Sequence, residues 1–196
     1  LEKEAVSRLI TIAEIIDIPV YIVHLSSKEG YDEIKRGRDR GNKIIAETCT
    51  QYLLLNKDCY IPKGEDKFEG AKYVLSPPLR DIESSKTLWN GLREGEIQIV
   101  ATDHCAFNYK GQKELGLEDF TKIPNGGPGV ENRFKLIYTY GVKENRIGME
   151  KLVEIISENP ARVFGLYPKK GIIKEGSDAD IVIFNPEHVS LIEAEN

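Results

Sequence analysis

The sequence predicts an α/β protein in which helices alternate with the strands of a parallel sheet. A short continuous apolar run at residues 20–23 and a largely apolar run at 97–101 suit strands that are buried on both faces. Between these two runs, apolar residues recur with the period of a helix. Pro19 ends the helix that precedes the first run, and Gly41 lies just beyond the end of the next helix. This alternation is typical of βα units around a parallel sheet.

The individual elements can be assigned in chain order. A helix is predicted at residues 3–16, with an apolar stripe formed by Ala5, Leu9, Ile12, Ala13 and Ile16. Ser26 or Ser27 can cap a second helix that ends near Arg40. Asn159 is expected to cap a late helix that has Pro160 in its first turn. The other predicted strands lie at 43–46 and 72–75, and the other predicted helices at 84–94, 130–141 and 149–157.

Two connections, at residues 49–71 and 104–129, are too long to be simple connectors. Long loops at the carboxyl ends of parallel strands are where α/β proteins build their active sites. These two loops are therefore the predicted location of the active site.

The character of the chain changes after Pro168, where turn residues become frequent and residues 179–184 predict a strand outside the βα pattern. About four sheet strands precede this point, whereas an eight-stranded barrel takes roughly 250 residues. If the sheet belongs to a barrel, residues 1–167 hold about half of it, and residues 168–196 begin a second, β-rich piece.

Composition narrows the function classes. The net charge is −5 and the basic residues are scattered, which disfavours nucleic acid as a partner. No apolar run reaches the roughly 18–20 residues that a membrane span needs. Cys49, Cys59 and Cys105 are odd in number and lack a CxxC spacing, so we expect a reducing cytoplasm rather than a disulfide framework. Because the chain opens on Leu1 within a helical pattern, we expect it to be part of a longer protein.

Two residues that could bind a metal follow predicted strands. His24 comes directly after the run at 20–23, and Asp103 comes two residues after the run at 97–101. Imidazole and carboxylate groups are common zinc ligands. Alone, His24 could equally be a buried histidine bonded to backbone, and Asp103 could act as a base or cap a turn. Their equivalent placement at two strand ends favours a site.

Other residues near these positions are open to two interpretations. His104 and Cys105 are expected to support the site or pack rather than to react, because neighbours on an extended backbone face different ways. Ser76, before two prolines, could offer its backbone to a ligand or simply precede a stiff turn. Asn125 lies in a glycine-rich loop whose backbone could approach a substrate closely, or which could be an ordinary surface turn.

Long strings of the sequence resemble dihydropyrimidinases and D-hydantoinases of the amidohydrolase superfamily. The strings TCTQYL and FTKIPNGGP are most similar to the hydantoinases. The matching segments are YIVHLSS (21–27), AETCTQYL (46–53), FEGAKYVLSPPLR (68–80), residues 101–131, NPARVFGLYPKKG (159–171) and GSDADIVIFNP (176–186).

The resemblance implies a TIM-like (β/α)8 barrel, of which this chain holds the C-terminal half, and the start of a small β-sandwich. It also implies two divalent metal ions, usually zinc. His24 would ligate one metal, and Asp103 would ligate the other and move protons. Ser76 and Asn125 would hold the cyclic substrate, chiefly through backbone groups.

The implied activity is the opening of cyclic amide rings by a metal-activated hydroxide, which converts dihydropyrimidines or hydantoins to N-carbamoyl amino acids. Members of the family are commonly homotetramers. The family's other metal ligands are expected to precede residue 1, so we expect the isolated chain to be inactive. The alternatives are an allantoinase or dihydroorotase-type enzyme and a non-catalytic assembly protein related to dihydropyrimidinase.

Overall fold

A three-stranded parallel sheet lies at the centre of the protein. The computed structural model describes residues 1–189 and 191. Within that part of the chain the strands are β1 (Val20–Ile22), β2 (Ile44–Cys49) and β3 (Ile99–Ala101), in the order β1-β2-β3. The predicted α/β class with a parallel sheet is confirmed.

The strand register is staggered. Ile22 of β1 lies opposite Ala46 of β2, whereas Ala101 of β3 lies opposite Cys49. The first half of β2 therefore pairs with β1 and the second half pairs with β3. Since all three strands run in the same direction, the segments that follow them leave from one edge of the sheet.

Helices connect the strands and follow them. The α-helices are α1 (Glu2–Ile16), α2 (Lys28–Asp39), α3 (Thr50–Leu54), α4 (Ile82–Glu94), α5 (Arg133–Ile137), α6 (Met149–Val153) and α7 (Asn159–Val163). Helices α5 and α6 continue as π-helical turns at Tyr138–Val142 and Glu154–Glu158. Short 3₁₀ helices occupy Lys57–Tyr60, Glu69–Tyr73, Lys113–Gly116 and Phe120–Lys122.

Helix caps follow the sequence prediction at one site and depart from it at another. The Ser27 side chain accepts the Gly30 N–H at 3.1 Å and caps α2, as predicted. The prediction that Asn159 caps a helix is wrong, because helical structure already runs through the preceding residues. The Asn159 carboxamide instead donates to the carbonyl oxygen of Gln98 at 2.9 Å, which ties α7 to the residue before β3.

The apolar stripe predicted for α1 is largely wrong. Leu9, Ile12 and Ile16 are exposed. The helix carries a second apolar stripe, and this is the one that packs against α2 and the sheet. Its buried residues are Val6, Ile10 and Ala13.

Two predicted strands are absent. Residues 72–75 overlap the 3₁₀ helix Glu69–Tyr73, and residues 179–184 form neither helix nor strand. A strand is stable only when its backbone groups pair with a neighbouring strand. The Val74 carbonyl oxygen instead accepts the N–H of Gly126 and the ammonium of Lys113, so this segment pairs with a loop.

The hydrophobic core lies between the sheet and helices α1, α2 and α4. Leu88 of α4, Ile34 of α2 and Val100 of β3 are completely buried there. This core thus provides a rigid support for the loops at the carboxyl edge of the sheet.

Among the described residues, no helix combines the length and the apolar character needed to cross a membrane.

Replacing Leu88 by Ala should lower the free energy of unfolding by about 2–5 kcal/mol, because it leaves a cavity in this core. Leu115→Ala is the matched control, since Leu115 is 62% exposed. The control should change stability by no more than about 0.5 kcal/mol. Urea unfolding monitored by circular dichroism measures both values, and equal losses would contradict the assignment of this core.

Candidate active site at the carboxyl edge of the sheet

His24 lies at the carboxyl edge of the sheet, two residues after β1, and is half-buried. The β1–β2 pairing resumes directly after it, because the Leu25 N–H donates to the Glu47 carbonyl oxygen at 2.8 Å. The buried Thr48 hydroxyl also donates to the Leu25 carbonyl oxygen, at 2.7 Å. His24 is therefore held between two paired residues.

Asp103 occupies the corresponding position two residues after β3 and is exposed. On its amino side, the Gln51 carboxamide donates to the Thr102 carbonyl oxygen at 3.3 Å. On its carboxyl side, the Cys105 N–H donates to the Gly127 carbonyl oxygen at 3.1 Å. The backbone on both sides of Asp103 is thus anchored.

His24 and Asp103 share an unfavourable backbone conformation, with φ of 40° and 48° respectively. Left-handed φ values crowd the Cβ atom of an L-residue and cost roughly 1–2 kcal/mol. Strained residues that the surrounding structure holds in place cluster at functional sites. Non-glycine residues with positive φ in the described chain are Asp17, His24, Asp103 and Asn145.

Glu47, on β2, connects this edge to His24. Its carboxylate accepts the Tyr21 hydroxyl and, at 3.4 Å, the backbone N–H of His24. Burial and the neighbouring Glu47 carboxylate raise the pKa of Tyr21 well above its usual value, so this hydroxyl remains a donor. Glu47 is not among the site residues predicted from the sequence, although a charged residue within a buried strand is an available signal.

Cys49, at the end of β2, lies between the His24 and Asp103 segments. Burial raises the pKa of its thiol, and the negative charges of Glu47 and Asp103 raise it further. The structure brings the segments after β1 and β3 to the two sides of Cys49.

His104 supports the loop that follows β3. Its Nδ1 atom accepts the N–H groups of Gly129 at 3.1 Å and Val130 at 3.3 Å. His104 also forms a parallel bridge with Gly127. The expectation of a supporting role fits His104, whereas core packing does not fit Cys105, which is exposed.

The segments of Ser76 and Asn125 lie side by side. The Gly126 N–H donates to the Val74 carbonyl oxygen at 3.1 Å. A Cβ atom on Gly126 would lie 2.3 Å from the Cys105 carbonyl oxygen, so only glycine allows this approach. Ser76 and Asn125 are both exposed, beside the loop that carries Asp103.

The His24 imidazole and the Asp103 carboxylate are two side chains of this edge that are chemically suited to bind a divalent cation. In residues 1–189 and 191, neither the His24 imidazole nor the Asp103 carboxylate makes a side-chain hydrogen bond or ion pair. One nitrogen and one carboxylate oxygen are a ligand pair that zinc accepts. The described part of the chain contains no cluster of three or more His, Cys, Asp or Glu side chains able to hold a metal. His24 and Asp103 therefore lack the further ligands that a complete metal site would need within the described residues.

Lys113 is a further residue of this edge that no local pattern in the sequence indicates. Its side chain is buried, although its neighbours in sequence read as a polar loop, and its ammonium donates to two backbone carbonyl oxygens. Burial lowers the pKa of this amine.

Comparison with curated proteins gives a consistent picture. The chain is 50% identical to a D-hydantoinase of Streptomyces coelicolor over 195 residues and 47% identical to a D-hydantoinase of Rhizobium radiobacter over 193. These alignments cover 100% and 98% of this chain but 41% of each relative. The chain thus spans about two fifths of the length of the relatives it matches.

Solved structures share this fold. A D-hydantoinase crystal structure aligns with a TM-score of 0.94 and 44% identity, covering 98% of this chain and 41% of that one. The dihydropyrimidinase from Brevibacillus agri NCHU1002 aligns with a TM-score of 0.86 and 44% identity, covering 90% and 38%. The Amidohydrolase family matches residues 11–195. This chain belongs to the Amidohydrolase family.

Proposed function

We propose that the protein containing this chain is a metal-dependent hydrolase that opens cyclic amide rings, with hydantoins and dihydropyrimidines as its substrate class. The observation that carries the proposal is the pair of strained residues, His24 and Asp103, each two residues beyond a parallel strand. The identity to proteins named D-hydantoinase supports the substrate class.

The proposed architecture extends the observed sheet. We propose that residues 1–167 form the C-terminal half of a (β/α)8 barrel and that residues 168–196 begin a β-sandwich. In this proposal the protein acts in the cytoplasm as a homotetramer. The TM-score of 0.94 with a D-hydantoinase supports a shared architecture.

His24 and Asp103 would hold divalent metal, with zinc the expected ion and a pair of ions the expected number. A bound divalent cation supplies a Lewis acid and lowers the pKa of water to about 7. His24 would contribute neutral imidazole nitrogen, and Asp103 would contribute carboxylate oxygen. The remaining ligands would come from polypeptide outside this chain.

Asp103 would move the proton during the reaction. The oxygen of water forms a bond to the ring carbonyl carbon while its proton passes to the Asp103 carboxylate. The carbon–nitrogen bond of the ring then breaks, and Asp103 returns the proton to the departing nitrogen. The product is an N-carbamoyl amino acid, and Asp103 ends the cycle ionised.

Ser76 and Asn125 would orient the ring through backbone groups. Their segments are joined at Gly126 and Val74, so the two peptides can face one planar ring from neighbouring positions. A cyclic amide or imide offers alternating N–H and C=O groups, which match backbone acceptors and donors. Recognition through backbone would fix the ring while leaving its substituent free.

Two alternatives remain as competing hypotheses. An allantoinase or dihydroorotase-type enzyme would use the same metal chemistry on another ring. A non-catalytic assembly protein would keep the fold without turnover. The presence of both His24 and Asp103, each two residues beyond a parallel strand, argues against the assembly protein, because a protein without turnover needs no potential metal ligands at both positions.

The full-length protein that contains this sequence should open hydantoin and dihydrouracil rings when supplied with zinc. Loss of the ultraviolet absorbance of the ring and chromatography of the N-carbamoyl product measure this activity. Allantoin and dihydroorotate, assayed in parallel, decide between ring classes. Absence of turnover on all four rings by metal-loaded protein would contradict the proposal.

Asp103→Asn should lower turnover by roughly 100-fold or more, the scale of a lost general base, without unfolding the protein. Asn tolerates left-handed backbone as well as Asp does, so the local conformation is kept. Asp17→Asn is the matched control, because Asp17 has a similar φ of 51° at the end of α1. Steady-state kinetics at fixed metal content measures both variants, and near-normal turnover by Asp103→Asn would contradict its role.

A further inference from the structure

Lys113 is the buried charged residue that the proposed mechanism leaves unused. Only 2% of it is exposed. No carboxylate lies within ion-pair distance of its ammonium among residues 1–189 and 191. Burying an ammonium without a counter-charge is costly unless hydrogen bonds compensate. The hydrogen bonds of this ammonium must therefore offset the cost of burying it, and its partners indicate its structural role.

The Lys113 ammonium joins two segments of the candidate site. Its Nζ atom donates to the carbonyl oxygen of Val74 at 2.6 Å and to that of Gly126 at 2.9 Å. The Gly126 N–H donates to the same Val74 oxygen at 3.1 Å. Lys113, Val74 and Gly126 thus form a closed set of three hydrogen bonds.

The segment that carries Lys113 is itself fixed. The Lys113 N–H donates to the Asn108 carbonyl oxygen at 3.1 Å, at the start of the 3₁₀ helix Lys113–Gly116. A Cβ atom on Gly116 would lie 2.1 Å from the Cγ1 atom of Ile123, so this helix packs directly against the chain that leads to Asn125. The ammonium is therefore presented from a rigid support.

We propose that Lys113 is a positioning residue that sets the spacing between the peptide segments of Ser76 and Asn125. Val74 precedes Ser76 by two residues, and Gly126 directly follows Asn125. The hydrogen bonds that hold Val74 and Gly126 together therefore also fix the positions of Ser76 and Asn125. In this proposal Lys113 acts through these two peptide segments and not on substrate or metal directly. The inference rests on the proposed function, because it assigns the grip on the cyclic amide ring to these two segments.

The test compares variants of the full-length protein on hydantoin. Lys113→Met keeps an unbranched side chain that is one atom shorter and removes the donors. Its KM should rise about tenfold or more, the equivalent of one lost hydrogen bond from a charged group, with a smaller change in kcat. Lys113→Arg, which retains the donors, should restore KM to within about threefold of the wild type. Lys110→Met, at an exposed position in the same loop, is the matched control and should leave both constants unchanged.

Metal content and thermal unfolding separate positioning from general structural support. Lys113→Met should bind as much metal as the wild type, because its contacts lie on the substrate segments. If Lys113→Met does not unfold cooperatively, Lys113→Gln replaces it, because its amide N–H groups reduce the cost of burial. The Gln side chain is uncharged and one atom shorter than that of Lys, so it cannot reach both carbonyl oxygens, and a KM increase is still expected. A wild-type KM in a folded variant, or a loss of metal that parallels the loss of activity, would overturn the inference.

The activity of the wild type distinguishes a failure of the inference about Lys113 from a failure of the proposed function. Hydrolysis by the wild type with no effect of Lys113→Met on KM overturns the positioning role and leaves the proposed function standing. Failure of the metal-loaded wild type to open any of the four rings overturns the proposed function, and the role of Lys113 falls with it.

Discussion

The hydrogen bond from the Leu25 N–H to the Glu47 carbonyl oxygen continues the β1–β2 pairing past the turn at His24. Strand pairing on both sides of a residue leaves its backbone little freedom, so His24 keeps a left-handed φ that it would abandon in an isolated peptide. The loop after β3 does the same for Asp103 through its bonds to Gly127. The proposed roles of His24 and Asp103 depend on these two turns keeping their backbone conformation.

Two side chains extend that order outward from the sheet. His104 holds the backbone at Gly129 and Val130, and Lys113 holds Val74 and Gly126. His104 accepts hydrogen bonds from backbone N–H groups, and Lys113 donates hydrogen bonds to backbone carbonyl oxygens. Both side chains therefore fix the positions of peptide groups directly. The loop at residues 104–129 therefore acts as a support that joins the Asp103 turn to the Ser76 and Asn125 segments.

The parallel sheet and the positions of His24 and Asp103 could be predicted because buried apolar runs and strand ends are local features of sequence. The strand predicted at residues 72–75 failed because Val74 finds its hydrogen-bond donors in Gly126 and Lys113, which are distant in sequence. The α1 stripe failed because that helix is apolar on two sides and only tertiary packing selects one. The left-handed turns depend on strand register, which composition does not encode.

The proposed binding of divalent metal by His24 and Asp103 can be measured in the full-length protein. The measurement is anomalous X-ray diffraction from zinc-loaded crystals, collected on both sides of the zinc edge. If both residues bind zinc, anomalous peaks will lie about 2.0–2.2 Å from a His24 ring nitrogen and an Asp103 carboxylate oxygen. Zinc-loaded crystals whose anomalous map has no peak at either side chain would contradict the proposed binding.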